Sequence, residues 1–383
     1  MTPENLQETI DSLIAARWPF AIWRIPGETE LRFIAQTTGQ PQVLYDIKAL
    51  NGRHGFVIAP FQVSQRKPIF LIHPDRFGIP ENPVAAFTAK ASPHDGATGP
   101  AEIPEHEAKA EYIMRLSRFL EPLRRGELSK LVLSRCRAIP RQAGFSPGKA
   151  FVAAEKRYIR SYVYLCHLPE IGTWMGGTPE ILLAGERNRW QTVALAGTQP
   201  LVDGHLPEVW SNKNWREQQF VAYYIRQQLA ALGIHPDEEG PFTVQAGEMA
   251  HLKSLFSFTL DRTDLLGDLL ARLHPTPAVC GLPKEEAHRF ISREEGYDRS
   301  YYSGFVGWLD PAGKTDLYVN LRCMNIQPHA LVLFAGGGIL PDSIPDEEWQ
   351  ETKDKMETMR RLLAGNGQGQ DKPSREQTDH TIL

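Results

Sequence analysis

Towards the C-terminus, the segment FAGGGILPDSIPDEEWQETKDKMETM carries a glycine cluster, Gly336, Gly337 and Gly338, that leads into a helical pattern bearing Glu348, Glu351 and Lys355. Side chains three and four residues apart share one helix face. Two carboxylates and an ammonium beside glycine-exposed backbone suit the joint holding of a hard cation and an anionic ligand. The same pattern also describes a solvated helix with an i, i+4 Glu to Lys pair. Its chemistry therefore depends on what stands elsewhere.

Lys130 opens the apolar run KLVLSR. Strand alternation puts Lys130, Val132 and Ser134 on one face and Leu131, Leu133 and Arg135 on the other. A partly desolvated lysine amine can take a proton, whereas a lysine at a strand end can also simply reach water. Glu180, in GGTPEILL, starts an apolar strand behind a turn. Facing inward it would be held protonated and able to donate, and facing outward it would be an exposed strand-start glutamate. Glu217 sits one turn ahead of Phe220 and Val221 at the inner edge of a helix, where it could join Glu351 in binding Mg²⁺. Arg322, in the strand-like VNLRC, is a candidate carboxylate clamp, because a buried guanidinium needs an anion. His274, in LHPTPAV, reads by default as structural.

Several elements must position these groups. A short N-terminal helix precedes strand-like FAIWRI, ELRFIA, GFVIAPF and PIFLIHP, and TAKASPHDGATGPAEIP reads as a surface loop. From Glu107 to about Arg125, Tyr112, Leu116, Phe119, Leu120 and Leu123 recur at amphipathic helix spacing. The strand-like runs KLVLSRCRAI, YVYLCHL, EILLAGE and WQTVALAGT follow, then a helix from about Asn214 to Leu232. TDLYVNLRCMNI and ALVLFAGGGIL precede the closing helix. Strands come in runs rather than alternating with helices, which predicts an α+β fold of large, mainly antiparallel sheets with helices outside. Residues 1–100 are expected to be a strand-rich part of the same large domain as a core over 101–365, with a disordered tail over 366–383.

With 42 basic and 46 acidic residues, the net charge of −4 offers no footprint for nucleic acid, which points to a small-molecule partner. Cys136, Cys166, Cys280 and Cys323 are widely separated without a Cys-x-x-Cys pair, which argues against zinc and disulfides and for a reduced, cytoplasmic setting. No apolar run approaches a membrane span, and the N-terminus lacks the basic start of a signal peptide. Neither the Gly-Gly-Gly run nor LAGT matches a P-loop or a dinucleotide fingerprint.

The ordered set KLVLSR, GGTPEILL, LAGT, KNWREQQFV, HPTPAVCGLP, DRSYYSGFVGW, VNLRC and FAGGGILP followed by EEWQETKDK resembles the chorismate-utilising enzymes across about residues 107–363. That family includes isochorismate, salicylate, anthranilate and aminodeoxychorismate synthases, and its sheets pack as a sandwich. The resemblance implies that Lys130 is the base activating water and Glu180 the acid protonating the departing hydroxyl of chorismate. It implies Glu217 and Glu351 as direct Mg²⁺ ligands, with Glu348 acting through water. Arg322, Lys355 and the Gly336 and Gly338 amides would hold substrate carboxylates. Gly197, Thr198 and His274 would line the ring, with Leu321 also in the substrate site.

Anthranilate-forming relatives usually have glutamine where this chain has Lys130, and aminodeoxychorismate synthases typically have lysine where it has Ala196. The resemblance thus implies water as nucleophile and an isochorismate synthase, feeding menaquinone or siderophore synthesis, with no amidotransferase subunit. Salicylate formation by a further loss of pyruvate, and a non-catalytic chorismate-binding role, are the alternatives. Gln218 and Asn214 depart from the family's histidine and acidic residue, which implies relaxed Mg²⁺ affinity.

Overall fold

The structure, a computed structural model, describes residues 1–80, 103–201, 203–246 and 249–363. Residues 88–102 of the expected loop and the expected tail lie outside them. The described strands form two nine-stranded sheets in which every neighbouring pair is antiparallel. The first runs, in spatial order, Gly281–Leu282, Lys130–Pro140, Ala330–Ile339, Cys323–Ile326, Gly172–Thr178, Tyr162–Leu168, Phe20–Arg24, Arg32–Ala35 and Arg76–Phe77. The second runs Asp237–Ala246, Met249–Thr259, Arg189–Pro200, Ile181–Glu186, Lys314–Val319, Phe305–Leu309, Gly55–Ala59, Ile69–Ile72 and Gln42–Leu44. The first eighty residues thus supply strands to both sheets.

Both sheet faces are covered, so the central strands are buried along their whole length. Tyr162–Leu168 and Gly55–Ala59 have no exposed residue. Trp23, Phe56, Ile58, Tyr162, Trp174 and Tyr318 pack in one cluster between the sheets, and Tyr162 stacks on Tyr318 with ring centroids 4.2 Å apart. Outside the first sheet lie helices Pro3–Ala15, Pro147–Arg157 and Pro345–Leu363, which contribute Leu6, Phe151 and Met356 to a second cluster. Asn212–Ala230 and Leu266–Leu273 cover the second sheet through Val221, Ile225 and Leu270. Glu105–Arg124 and Lys284–Glu294 pack Phe119 and Ile291 against Leu131 and Leu133. The architecture is the expected sandwich with external helices.

Two helices aim acids inward for reasons visible in their spacing. Asn212–Ala230 is capped by the Ser211 Oγ, which accepts from the Asn214 amide at 3.2 Å. Its buried stripe runs Glu217, Val221, Ile225 and Leu229 at intervals of four. The polar member lies at the end nearest the glycine run. In Pro345–Leu363, the buried stripe Glu348, Thr352, Met356 and Met359 likewise begins with a carboxylate.

Candidate active site

The site forms where the chain twice crosses between the sheets. Pro179 and Glu180 link Gly172–Thr178 of the first sheet to Ile181–Glu186 of the second, and Asn320 to Arg322 link Lys314–Val319 back to Cys323–Ile326. The two crossings are tied together. The Val319 amide donates to the Glu180 carbonyl at 2.9 Å, and Thr178 Oγ1 donates to the Val319 carbonyl at 2.6 Å. The expectation that Arg322 lies within one strand is corrected: TDLYVNLRCMNI is two strands in different sheets, and Arg322 stands at the break with φ +46°. A non-glycine residue there costs roughly 1–3 kcal/mol and persists where surrounding contacts impose it.

Between these crossings lies a cavity lined by Val132, Glu180, Ala196, Gly197, Thr198, Glu217, His251, Val279, Tyr302, Leu321, Arg322, Gly336, Gly338 and Lys355, among others. Glu180 is 2% exposed and receives a 3.3 Å hydrogen bond from Thr276 Oγ1. Burial pushes its carboxyl up to about 8, against the opposing fields of Lys130 and Lys355. It is therefore an acid at neutral pH. Lys130 is completely buried and paired on the face the alternation assigns, with Leu131 and Leu133 on the opposite, helix-covered face. Its Nζ stands 3.0 Å from Glu217 Oε1, but no hydrogen-bond acceptor is aligned with it. Its ion-pair contact with Glu217 leaves N–H groups without an acceptor, which suits a partner that arrives with a ligand.

Each prospective metal acid is held by a lysine. Lys130 contacts Glu217, Lys213 bonds Glu348, and Lys355 donates to Glu351 at 2.5 Å. Burial would raise Glu217, yet Lys130, Lys213 and Lys355 together hold it below the ordinary carboxyl range. Burial and then Glu351 push Glu348 upward, against Lys213. Glycine is what lets the acids approach this strand. A Cβ on Gly338 would meet Glu217 Oε1 at 1.9 Å, and one on Gly337 would meet Glu348 Oε2 at 3.3 Å and Glu351 Oε1 at 3.4 Å. Among the described residues no three acidic, histidine or cysteine side chains are gathered closely enough to enclose a metal. The donor chemistry nevertheless fits Mg²⁺: the candidate ligands are all carboxylates, and Glu348 Oε2 is buried without a hydrogen-bond partner.

The other end is built for an anion. Arg322 is 7% exposed, and its two hydrogen-bond partners are neutral: His251 Nε2 at 3.1 Å and Thr358 Oγ1 at 3.4 Å. Arginine only donates, so His251 Nε2 accepts, and its Nδ1 carries the proton towards the Gly197 carbonyl at 3.2 Å. Burial, with Arg322 and Lys355 nearby, lowers the His251 imidazolium pKa well below its usual value and keeps the ring neutral. Lys355 also donates to the Gly336 carbonyl at 3.0 Å. Gly197, at φ +73°, lies where the Arg189–Pro200 strand bulges, and a Cβ there would meet the Asn214 carbonyl oxygen at 3.0 Å. The glycine lets this wall close on the helix.

Not every expected residue reaches the cavity wall. His274 is buried behind it, its ring edge-on to Phe305 and its Nε2 3.3 Å from the Phe61 carbonyl, while Thr276, two residues on, reaches Glu180. Gln218 turns from the acids to donate to Ser254 Oγ at 2.7 Å, and the Asn214 side chain bonds the Thr198 carbonyl at 3.4 Å. Two residues escaped the sequence reading. Lys213 stands four residues before Glu217, so helix spacing carried its signal. His251, on the strand Met249–Thr259, carries none, because its partners Gly197 and Arg322 are distant in sequence.

A family profile described as chorismate binding enzyme matches residues 83–364. The vibriobactin-specific isochorismate synthase of Vibrio cholerae is 28% identical over 311 residues, which cover 77% of this chain and 76% of that protein. Isochorismate synthase EntC of Escherichia coli is 27% identical over 326 residues, or 82% of each. The structure of MenF, the menaquinone-specific isochorismate synthase from Escherichia coli, aligns with a TM-score of 0.74 at 23% identity, covering 92% of this chain and 90% of that one. Anthranilate synthase component I from Streptococcus pneumoniae aligns at 0.63 and 17% identity, with 89% of each chain covered.

Proposed function

The chain belongs to the chorismate binding enzyme family, and from that membership we propose that it is an isochorismate synthase. The observation that carries the reading is the protonated Glu180 on the cavity wall together with the buried Lys130 amine, which stands just outside that wall, 3.0 Å from the lining residue Glu217. Water is a weak nucleophile and hydroxide a poor leaving group, so the exchange needs a base and an acid together. In its neutral form Lys130 takes a proton from water as the water oxygen bonds to ring carbon 2. The ring double bonds shift, and the carbon 4 hydroxyl departs as water with the Glu180 proton. One water enters and one leaves, so the net reaction is an isomerisation.

Arg322, Lys355 and the Gly336 and Gly338 amides would bind the substrate's carboxylates, with Leu321, Gly197 and Thr198 beside the ring. Glu217 and Glu351, with Glu348 behind them, would hold Mg²⁺. When bound, the ion supplies positive charge against a substrate carboxylate. Ala196 on the cavity wall offers no amine to attack the ring, which supports water as the nucleophile. No amidotransferase subunit is required for that chemistry. The product would feed menaquinone or siderophore synthesis, and a cytoplasmic site of action fits a chain in which no described helix is long and apolar enough to cross a membrane.

The test is product identity. Purified protein is incubated with chorismate, with and without Mg²⁺, and the products are separated chromatographically with fluorescence detection of salicylate. Isochorismate that accumulates only with the metal is the expected result. Immediate salicylate would move the assignment to a salicylate synthase, and unchanged chorismate would overturn the enzymatic reading.

A further inference from the structure

Behind the cavity wall lies an ion pair that the proposed chemistry does not use. Glu295 and Arg299 are 1% and 3% exposed. Arg299 grips the carboxylate with both arms of its fork, Nε to Oε2 at 2.6 Å and Nη2 to Oε1 at 2.7 Å. Two further donors go to backbone carbonyls, Nη1 to Val279 at 2.6 Å and Nη2 to Val132 at 2.8 Å. Glu295 Oε1 in turn accepts from the Ser134 amide at 2.7 Å and from Ser134 Oγ at 2.8 Å. The guanidinium also lies 4.3 Å from the centre of the Phe61 ring.

Val132 and Val279 both line the catalytic cavity. Lys130 precedes Val132 by two residues on the same strand face, at the end of a strand whose outer neighbour is only the two-residue strand Gly281–Leu282. The ladder there is short: the Val132 amide donates to the Cys280 carbonyl and the Ser129 amide to the Leu282 carbonyl, both at 2.8 Å. The long pairing with Ala330–Ile339 ends at Leu131, so Lys130 itself faces only Leu282 across the ladder. A buried ion pair is also a costly way to fill space, since apolar side chains of similar volume would serve the core as well or better.

The geometry points to Glu295 and Arg299 as positioning residues for the proposed reaction. Acting through the Val132 and Val279 carbonyls and the Ser134 amide, they fix the edge of the first sheet against the Val279 segment, and so fix the place of the Lys130 amine at the cavity. The inference rests on the reading of Lys130 as the base.

Arg299→Lys keeps the charge on Glu295 but cannot span both carbonyls, and Ser134→Ala removes one anchor while leaving the ion pair intact. Misplacing a reacting group by about 1 Å can cost about 100-fold, so kcat is expected to fall roughly 10- to 100-fold in Arg299→Lys and less in Ser134→Ala. KM for chorismate should stay within about threefold of wild type, since the misplacement leaves the anion end around Arg322 and Lys355 untouched. Hydrogen exchange supplies a readout independent of turnover. Amides of residues 129–135 and 279–282 should exchange faster in both variants, while Tyr162–Leu168 keeps wild-type protection. Folded variants with wild-type kcat and wild-type exchange at those segments would overturn the proposal, as would uniform loosening of the whole chain. If Arg299→Lys does not fold, Ser134→Ala decides alone. A wild-type protein that makes no isochorismate sinks the functional reading, and the exchange comparison still decides whether the pair positions the Lys130 strand.

Discussion

In the proposed reaction two residues carry the bond changes, and each has its own test. Lys130→Ala removes the proposed base, and general base catalysis is typically worth about 10²–10⁴-fold. Turnover should fall by that order while Mg²⁺-dependent chorismate binding, measured calorimetrically, survives; retained turnover would refute the role. Glu180 sets the alkaline limb. Its carboxyl is pushed up to about 8 by burial, so the donor is lost as pH rises through that value, and kcat/KM, which reports the free enzyme, should decline above it. Stability runs the same way. The folded state keeps a proton that the unfolded chain releases in the ordinary carboxyl range, so this contribution is full below that range and disappears as pH rises through about 8. Glu180→Gln should abolish the limb together with most of the activity.

Among the elements, the strand Ala330–Ile339 shows how backbone makes room for chemistry. Its glycines let acids from two helices approach the sheet, and Gly338 is the tightest point, where a Cβ would fall 1.9 Å from Glu217 Oε1. Gly338→Ala must displace that carboxylate. The expected outcome is a folded protein with unchanged far-UV circular dichroism and a Mg²⁺ requirement raised by roughly tenfold or more, the usual scale for disturbing a metal ligand's support. An unaltered magnesium titration would remove Glu217 from the ligand set. The helices were legible because their stripes repeat at four: Glu217 continues Val221 and Ile225, and Glu348 continues Thr352 and Met356. The crossings were not legible. An apolar run such as TDLYVNLRCMNI reads as one strand whether it stays in a sheet or leaves it at Asn320, since both halves are buried.

At the scale of the molecule, the cavity exists because the sheets are held face to face. Phe56 is fully buried in the cluster between them, 5.2 Å from Trp23. Phe56→Ala should cost about 3–5 kcal/mol, visible as a lower urea midpoint at unchanged slope. KM and kcat of the remaining folded protein should change little, because Phe56 does not line the cavity and neither does its ring partner Trp23; a catalytic defect without lost stability would contradict that division of labour.

Residue types, local periodicity and motif order belong to the sequence, and they carried the α+β class, the principal helices and the identity of Lys130, Glu180, Glu217, Arg322, Glu351 and Lys355 as candidates. Local spacing bears on chemistry only within one element. Whether Glu180 faced inward, whether Arg322 met an acid or a neutral imidazole, and whether His274 reached the wall were decided by contacts between segments 71 to 213 residues apart, such as Arg322 with His251, Glu180 with Thr276 and His274 with Phe61. The closing helix is the clearest case. Its Glu351 and Lys355 pair with each other as any surface helix would allow, and only the Gly336 carbonyl, Lys213 and Glu217, brought alongside by the folded sheets, make that pair one end of the proposed binding site.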